Sequence, residues 1–153
     1  MKTKKVNRYY CDYCKKSGCN SYWIKKHENR CTLNPDRYCG YCHLLGKKQS
    51  NLVLLLSILP NPQDYEKTYL NEDNGFTWSS YVGLDDAVDA VLPKLRDAAE
   101  NCPACIMAAL RQKKIPVQCA TNFNFSEETQ TIWNEFNAEQ MRKEQESEYS
   151  YLI

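Results

Sequence analysis

Three pairs of cysteines, each separated by two residues, constrain this chain more than any other feature of its sequence. The pairs are Cys11/Cys14, Cys39/Cys42 and Cys102/Cys105. The total of nine cysteines is odd, and no apolar signal segment follows the basic N-terminus, so an extracellular disulfide framework is disfavoured. In a reducing compartment such pairs are typical of metal ligands. We therefore expect an intracellular protein, cytoplasmic or, in a eukaryotic host, nuclear, and not a secreted one.

The first pair lies in a segment that contains a complete set of ligands for one zinc ion. Twelve residues separate Cys14 from His27, and three separate His27 from Cys31. Zinc takes four ligands in a tetrahedron, and two cysteines on a tight turn supply two of them. Residues four apart on a helix share a face, and the segment 21–31 suits a helix. The spacing predicts a zinc site made of Cys11, Cys14, His27 and Cys31.

This segment resembles a classical two-cysteine two-histidine zinc finger in which Cys31 replaces the last histidine. Its opening Tyr-Cys-Asp-Tyr-Cys is also similar to the zinc finger of a spliceosomal ribonucleoprotein. The resemblance covers the N-terminal region only and implies a ββα fold, with Tyr9 before the first cysteine and Ile24 in the family's leucine slot. Gly18 departs from the family, which has Phe at that hairpin position. The tyrosines that we expect to fill this space are Tyr10, Tyr13 or Tyr22.

The two remaining pairs make a second set of four cysteines, with a long insertion between the pairs. Four thiolates form a closed structural zinc site with no position open to water or substrate. Its ligands would be Cys39, Cys42, Cys102 and Cys105. Gly40 and Pro103 suit tight turns within the pairs. The alternatives are that one pair is a redox dithiol or is merely packed, or that the adjoining His43 replaces a cysteine.

The pairing of the ligands has a second solution, which resembles the cross-brace of RING-like or PHD-like domains. There the first pair would join the third, and His27/Cys31 would join Cys102/Cys105. We prefer two sequential sites, because the first four ligands have finger spacing and Ile24 fits the finger. Either solution predicts two Zn²⁺ ions. Two cysteines are left over in both, and we expect Cys19 to be a small packed residue.

Beyond the ligands, the sequence predicts a helical body. Apolar residues recur at helical spacing from Leu84 to Ala99, and Pro93 predicts a kink or two consecutive helices. A further helix is expected over 106–113, and another that begins near Ser126 as its cap. The apolar run 52–59 is too short for a membrane helix and indicates a buried strand or a short core helix. The segment 76–82 is a candidate strand.

These elements predict a small α+β protein that is mainly helical, in which a zinc-stabilised ββα-like finger precedes a helical body with a second zinc site. We expect a finger over residues 1–36, a second zinc module with the helical body over 37–125, and a C-terminal helix with an acidic tail over 126–153. The apolar stripe of the last helix contains Ile132, Trp133, Phe136 and Met141, and it indicates core packing.

Charge is distributed unevenly along the chain. Residues 1–50 carry a formal charge of +9, and residues 51–153 carry −8. A basic finger region indicates binding to DNA or RNA in a regulatory or accessory role. The family's groove-facing positions fall on Asn20, Trp23 and Lys26, of which Trp23 can also stack on an unpaired base. The cations expected to contact phosphates are Lys15, Lys16, Lys25, Lys26, Arg30, Lys47 and Lys48.

The alternative is a zinc-stabilised structural or adaptor protein that binds another protein, a class that includes assembly components of viruses and phages. An enzyme is not expected, because the sequence has no Gly-rich phosphate loop, nucleophile elbow or metal-hydrolase helix, and zinc claims one of its two histidines. Neither a membrane association nor a small-molecule substrate is indicated. Attraction between the two oppositely charged halves is a further explanation of the charge asymmetry.

Overall fold

A computed structural model describes residues 1–2 and 4–150, the last four of these by their backbone alone. The described chain divides into two compact units, residues 1–122 and 123–153. Helices predominate, and there are two small antiparallel sheets. This agrees with the predicted mixed, mainly helical class. No described helix combines the length and the apolar character that crossing a membrane would need. The predicted boundary at residue 36 stays a prediction.

The N-terminal region contains a short hairpin followed by a helix. Strands β1 (Tyr9–Tyr10) and β2 (Ser17–Gly18) pair antiparallel, and helix α1 (Ser21–Glu28) follows. The predicted helix is correct at its start but too long at its end, because Cys31 lies beyond α1. The chain tightens there into successive turns, in which Arg30 N donates to His27 O and Cys31 N donates to Glu28 O.

Three helices form the body of the first unit. The apolar run forms helix α3 (Leu52–Ile58), which packs against α4 (Leu84–Ala98) and α5 (Pro103–Gln112). Helix α4 buries the residues that recur at helical spacing, and α5 is buried from Pro103 to Leu110, which is typical of a central helix. The short helix α2 (Gly40–Leu44) precedes them.

Two details of these helices correct the sequence-based expectations. Helix α4 runs through Pro93 as one element, so the alternative of two consecutive helices is wrong. Pro93 is exposed, and its ring costs one backbone hydrogen bond on the solvent side. Gly40 and Pro103 are not in free turns, because each is the first residue of a helix whose N-cap is a cysteine. Proline is favoured at this position because its missing N–H has no helical partner there.

A second hairpin stands between α3 and α4. A 3₁₀ turn (Pro62–Tyr65) leads into strand β3 (Glu66–Leu70), which pairs antiparallel with β4 (Thr77–Tyr81). The candidate strand over 76–82 is thus confirmed, with its ends trimmed by one residue each. Every residue of both strands is exposed.

The second unit consists mainly of helix α6 (Phe125–Ser150). Ser126 is not its cap. Asn124 caps the helix instead, because its Oδ1 accepts hydrogen bonds from the backbone N–H groups of Ser126 and Glu127. Trp133 and Phe136 meet edge to face on this helix, with ring centroids 6.1 Å apart. Residues 151–153, at the end of the predicted acidic tail, lie outside the described residues.

Candidate metal centres

The first centre consists of the four N-terminal ligands predicted from the spacing. The ligand atoms of Cys11, Cys14, His27 and Cys31 all lie within 4.8 Å of one another. The two cysteines of the pair come from the loop between β1 and β2, His27 comes from α1, and Cys31 comes from the turn after it. Cys14 Sγ lies 3.2 Å from His27 Nε2, which is the ring nitrogen turned toward the cluster.

Local hydrogen bonds hold the cysteine loop of the first centre in shape. Cys11 N donates to Lys16 O, and Lys16 N donates to Cys14 Sγ. Glu28 reaches across from the end of α1, because its Oε1 accepts the backbone N–H of Asp12 at 2.9 Å. The carboxylate thereby fastens the helix that carries His27 to the loop that carries the two cysteines.

A small apolar cluster lies beneath the first centre. Ile24 is buried against Cys11 and Cys31. Gly18, at the position where the family has Phe, leaves space that Ile24 enters, and a Cβ at Gly18 would lie 3.4 Å from Ile24 Cδ1. The expectation that a tyrosine fills this space is wrong, since all three candidates are exposed: Tyr10 by 63%, Tyr13 by 41% and Tyr22 by 64%.

The second centre joins two cysteine pairs that are far apart in the sequence. The sulfurs of Cys39, Cys42, Cys102 and Cys105 lie within 4.8 Å of one another, and the four residues are only 1–2% exposed. Cys39 is the N-cap of α2 and Cys102 is the N-cap of α5, so each pair has the same position on its helix. The chain thus brings together the sequential sets of ligands and not the cross-brace sets.

The sulfur separations in the second centre fit a shared tetrahedral ion. Cys39 Sγ lies 3.6 Å from Cys102 Sγ, and Cys42 Sγ lies 3.6 Å from Cys105 Sγ. A disulfide would require about 2.05 Å, whereas four sulfurs at 2.3 Å from one zinc ion would stand about 3.8 Å apart. The cysteines carry no disulfide. Each of the two groups of four can therefore hold one metal ion.

Two side chains that the sequence did not single out support the second centre. Gln49 braces the loop before α2, because its Oε1 accepts from Cys39 N at 2.6 Å and its Nε2 donates to Arg37 O at 2.8 Å. Arg37 is buried, and its Nη1 lies 3.9 Å from Cys105 Sγ. A buried guanidinium beside four sulfurs offsets part of the negative charge that bound thiolates carry. No spacing rule marks such residues, since they act through the folded loop.

Burial and neighbouring groups shift the pKa values of several ligands in both directions. Burial and the positive charge of Lys16 lower the pKa of His27, which favours the neutral imidazole that coordinates a metal. Burial raises the pKa of the Cys31 thiol to about 11 and that of Cys42 to about 12. Hydrogen bonds from Cys102 and Cys105 lower the pKa of Cys39. A metal ion would displace the protons of these thiols, because cysteine coordinates a metal as the thiolate.

The two centres are tied together by the C-terminal end of α5. Gln112 Nε2 donates to the carbonyl oxygens of Thr32 and Asn34, at 3.0 Å each. Arg111 Nη1 donates to the Thr32 hydroxyl at 3.2 Å. Thr32 directly follows the last ligand of the first centre, and α5 begins at the second centre. One helix therefore contacts the second centre at its start and the segment leaving the first centre at its end.

Most of the residues proposed for nucleic-acid contact lie on and around α1, whereas Lys47 and Lys48 follow α2, and Lys47 Nζ donates to Glu100 O. Asn20, Trp23, Lys15, Lys16, Lys25, Lys26 and Arg30 are all exposed. Lys26 Nζ lies 5.2 Å from the centroid of the Trp23 ring, and Trp23 is 59% exposed. Asn20 is the N-cap of α1, and its Oδ1 accepts from Trp23 N. That bond uses one of the two lone pairs of Oδ1 and leaves the amide nitrogen available to a ligand.

Five of these side chains, but not Lys15 or Lys25, line an open groove beside the first centre. Its volume is about 510 Å³, and its walls include Trp23, Asn20 and the cations Lys16, Lys26 and Arg30. Arg30 is also held at its other side by Tyr38, whose ring centroid lies 5.9 Å from the guanidinium carbon. The groove therefore combines one exposed indole face with three positive charges.

The two remaining cysteines and the second histidine lie outside both centres. His43 is exposed and belongs to neither group of ligands, so the alternative in which it replaces a cysteine is not adopted. Cys19 is exposed, and the expectation that it is packed is wrong because it lies in the loop just before the cap of α1. Cys119 is partly buried, and burial together with Asp85 raises its pKa.

Comparisons with known proteins found no match for the chain. No family model matches it, and no curated protein or solved structure is similar enough to count as a match. The interpretation of the two centres therefore rests on their own geometry.

Proposed function

We propose that both centres hold structural Zn²⁺ and that the protein binds DNA or RNA through its N-terminal module, in a regulatory or accessory role. The donor sets support zinc, because three thiolates with one imidazole and four thiolates are typical of structural zinc. The order of β1, β2 and α1 supports a finger of the classical kind with Cys31 as its last ligand. The site thus defines a scaffold, and the exposed side chains on it define the function.

The groove beside the first centre carries the nucleic-acid proposal. Trp23 offers a flat apolar surface, and Lys16, Lys26 and Arg30 surround it with positive charge. A nucleotide needs these two elements together, a ring on which the base stacks and cations that neutralise its phosphate. The indole is 59% exposed among these three cations, so its ring is accessible to a ligand.

The same groove favours an unpaired base over reading of a duplex. Bidentate pairing of Asn20 with adenine would need a free amide side chain, but Asn20 already caps α1 through the hydrogen bond from Trp23 N to its Oδ1. Stacking needs no such edge contact, since every base has an aromatic face. We therefore infer that single-stranded segments are the preferred ligand, with weak dependence on sequence.

We further propose that the protein is not an enzyme and works in a reducing compartment. Both centres draw all four ligands from the chain, which leaves no coordination position for water or substrate. Reduced thiols at both centres suit such a compartment. The adaptor role remains the second candidate, because the second hairpin exposes several aromatic side chains on a surface separate from the groove.

The test is a fluorescence-anisotropy titration of the zinc-loaded protein with labelled single-stranded and duplex DNA and RNA at two salt concentrations. We expect single strands to bind more tightly, with log Kd rising by roughly 0.7 per neutralised phosphate for each decade of salt. Trp23→Ala should weaken binding by about tenfold, since base stacking contributes about 1–3 kcal/mol. Lys26→Ala should lower the salt slope.

Lys94→Ala is the matched control, because Lys94 is an exposed lysine on α4. Its binding curve should coincide with that of the wild type. Preference for duplexes with full retention of binding by Trp23→Ala would contradict the stacking proposal. No binding to any nucleic acid at low salt would overturn the function and favour the adaptor.

A further inference from the structure

The second hairpin, β3 with β4, is an isolated ribbon. All ten of its strand residues are exposed, and its sheet has only two strands. A two-stranded hairpin without a packed face is marginally stable in water. A third strand or packing against a helix would supply the missing stability, and among the described residues no further strand pairs with this hairpin.

One face of the hairpin carries a row of aromatic rings. Tyr69 and Trp78 are directly opposite each other in the register, and their rings stack at 5.6 Å with planes 17° apart. Phe76 continues the row, 6.3 Å from Trp78 and tilted by 18°. These three side chains are 39%, 45% and 62% exposed. Such a contiguous exposed aromatic surface marks an interaction site.

The turn at the tip of the hairpin is held in one shape. Asn71 Oδ1 accepts from Asp73 N, and Asn74 Oδ1 accepts from Phe76 N. Two backbone bonds close the same turn, from Asn71 N to Phe76 O and from Gly75 N to Asn71 O. These bonds order the turn, so fixing the turn on binding costs less entropy. Glu72 lies in the same turn and is exposed.

The formal charge of the hairpin segment indicates the chemistry of an occupant. Residues 62–82 contain Asp64, Glu66, Glu72 and Asp73 against Lys67 alone, a formal charge of −3. Phosphates would be repelled, so nucleic acid belongs at the basic groove and not here. An arginine side chain satisfies both features of the hairpin, since a guanidinium stacks on aromatic faces and pairs with carboxylates.

We propose that this hairpin is a docking arm for an arginine-containing, basic segment of a partner protein. Guanidinium groups stack on Trp78 and Tyr69 and pair with the carboxylates of Glu72 and Asp73. Binding covers the aromatic row and thereby stabilises the hairpin. The protein would then carry two recognition surfaces of opposite preference, one for an anionic strand and one for a cationic peptide.

The experiment measures anisotropy of labelled peptides made of four Arg-Pro repeats, four Lys-Pro repeats or four Glu-Pro repeats, with the full zinc-loaded chain. The Arg-Pro peptide should bind most tightly, the Lys-Pro peptide more weakly because it lacks the planar group, and the Glu-Pro peptide not at all. Trp78→Ala should weaken the Arg-Pro peptide by about tenfold, within the range of a desolvated cation–π contact.

Two further variants keep the test decisive if Trp78→Ala disrupts the hairpin. The double change Glu72→Gln and Asp73→Asn leaves the rings in place, and it should weaken Arg-Pro binding and reduce its salt dependence. Trp133→Ala removes a tryptophan of similar exposure, 41%, from outside the hairpin, and should leave Arg-Pro binding within twofold.

Three results would overturn the proposal. The first is failure of the Arg-Pro peptide to bind, or binding that all the hairpin variants retain. The second is loss of single-stranded DNA binding in Trp78→Ala, which would make the row a base-stacking platform. The third is a dimer in light scattering that Trp78→Ala dissociates, which would make a second copy of the chain the occupant.

Discussion

The first metal centre takes its ligands from residues 11–31, whereas the second joins residues 39–42 to residues 102–105. Cys14 and His27 of the first centre are partly exposed, but all four ligands of the second are buried. The first centre organises a hairpin and one short helix. The second joins α2 to α5, the most deeply buried helix of the body. Similar cysteine pairs therefore serve a local module in one case and a tertiary core in the other.

The largest expected effect is the loss of folding when a ligand of the second centre is replaced, in contrast to a ligand of the first centre. Cys102→Ser should release the second ion and unfold the helical body, since structural zinc contributes on the order of 10 kcal/mol to folding. Cys11→Ser should release only the first ion and leave α3, α4 and α5 folded. Zinc stoichiometry by mass spectrometry, together with far-ultraviolet circular dichroism, measures both. A folded body in Cys102→Ser with one ion bound would show that packing alone sustains it.

The two centres should also differ in the rate at which a chelator removes their metal ions. With excess EDTA, the first ion should leave at least roughly tenfold faster than the second, because the shell around a site controls its access to solvent. A colorimetric zinc indicator gives both rates in the wild type. Cys11→Ser, in which only the second ion remains, identifies the slow phase. Equal rates would mean that burial does not protect the second centre.

A smaller effect is expected from removing the Gln112 hydrogen bonds that link α5 to the segment after the first centre. Gln112→Ala removes two hydrogen bonds to the segment after Cys31, and should lower the free energy of unfolding by about 1–3 kcal/mol. Thermal unfolding measures the loss, with the exposed Gln118→Ala as the matched control. A double-mutant cycle with Cys11→Ser should give a coupling energy that differs from zero. Additive effects would make the two centres independent.

The smallest effect lies within the first centre. Gly18→Ala places a methyl group 3.4 Å from Ile24 Cδ1 and restricts the unfolded chain, so stability should rise by about 0.4–1 kcal/mol. Gly46→Ala is the control, because Gly46 has φ +63° and no neighbour within 4 Å of an added Cβ. It should lose stability, since alanine is strained at positive φ. Destabilisation of the Gly18 variant would show that the Ile24 side chain cannot shift to accommodate the added methyl group.

The ligands of both centres could be predicted from the sequence, because metal coordination requires particular residue types at short, regular spacings. Helix α4 could also be predicted, because its buried residues recur at helical spacing from Leu84 to Leu95. The sequence did not indicate Gln49, Arg37 or Gln112, since these side chains act across loops whose paths are set by the folded chain. The sequence does not distinguish Asn124 from Ser126 as the N-cap, because both Asn and Ser are favoured at that position.

The exposure of the second hairpin illustrates a further limit. Aromatic and β-branched residues predict a strand, and β4 is one, but the same residues would suit a buried strand equally well. Whether the strand lies in the core depends on the neighbours available to cover it. Here α3 packs against α4 and α5 without the hairpin, and both faces of β3 and β4 are left to solvent.

The wide gap between the two halves of the second centre has a consequence for how the protein is made. On the ribosome, the first centre can close as soon as residue 31 emerges, but Cys39 and Cys42 must wait for Cys105. At about 5–20 residues per second, that delay lasts roughly 3–13 seconds. During this time two thiols are exposed to oxidants and to competing metals. We therefore expect the yield of correctly metallated protein in cells to depend on thiol-reducing capacity and free zinc during synthesis.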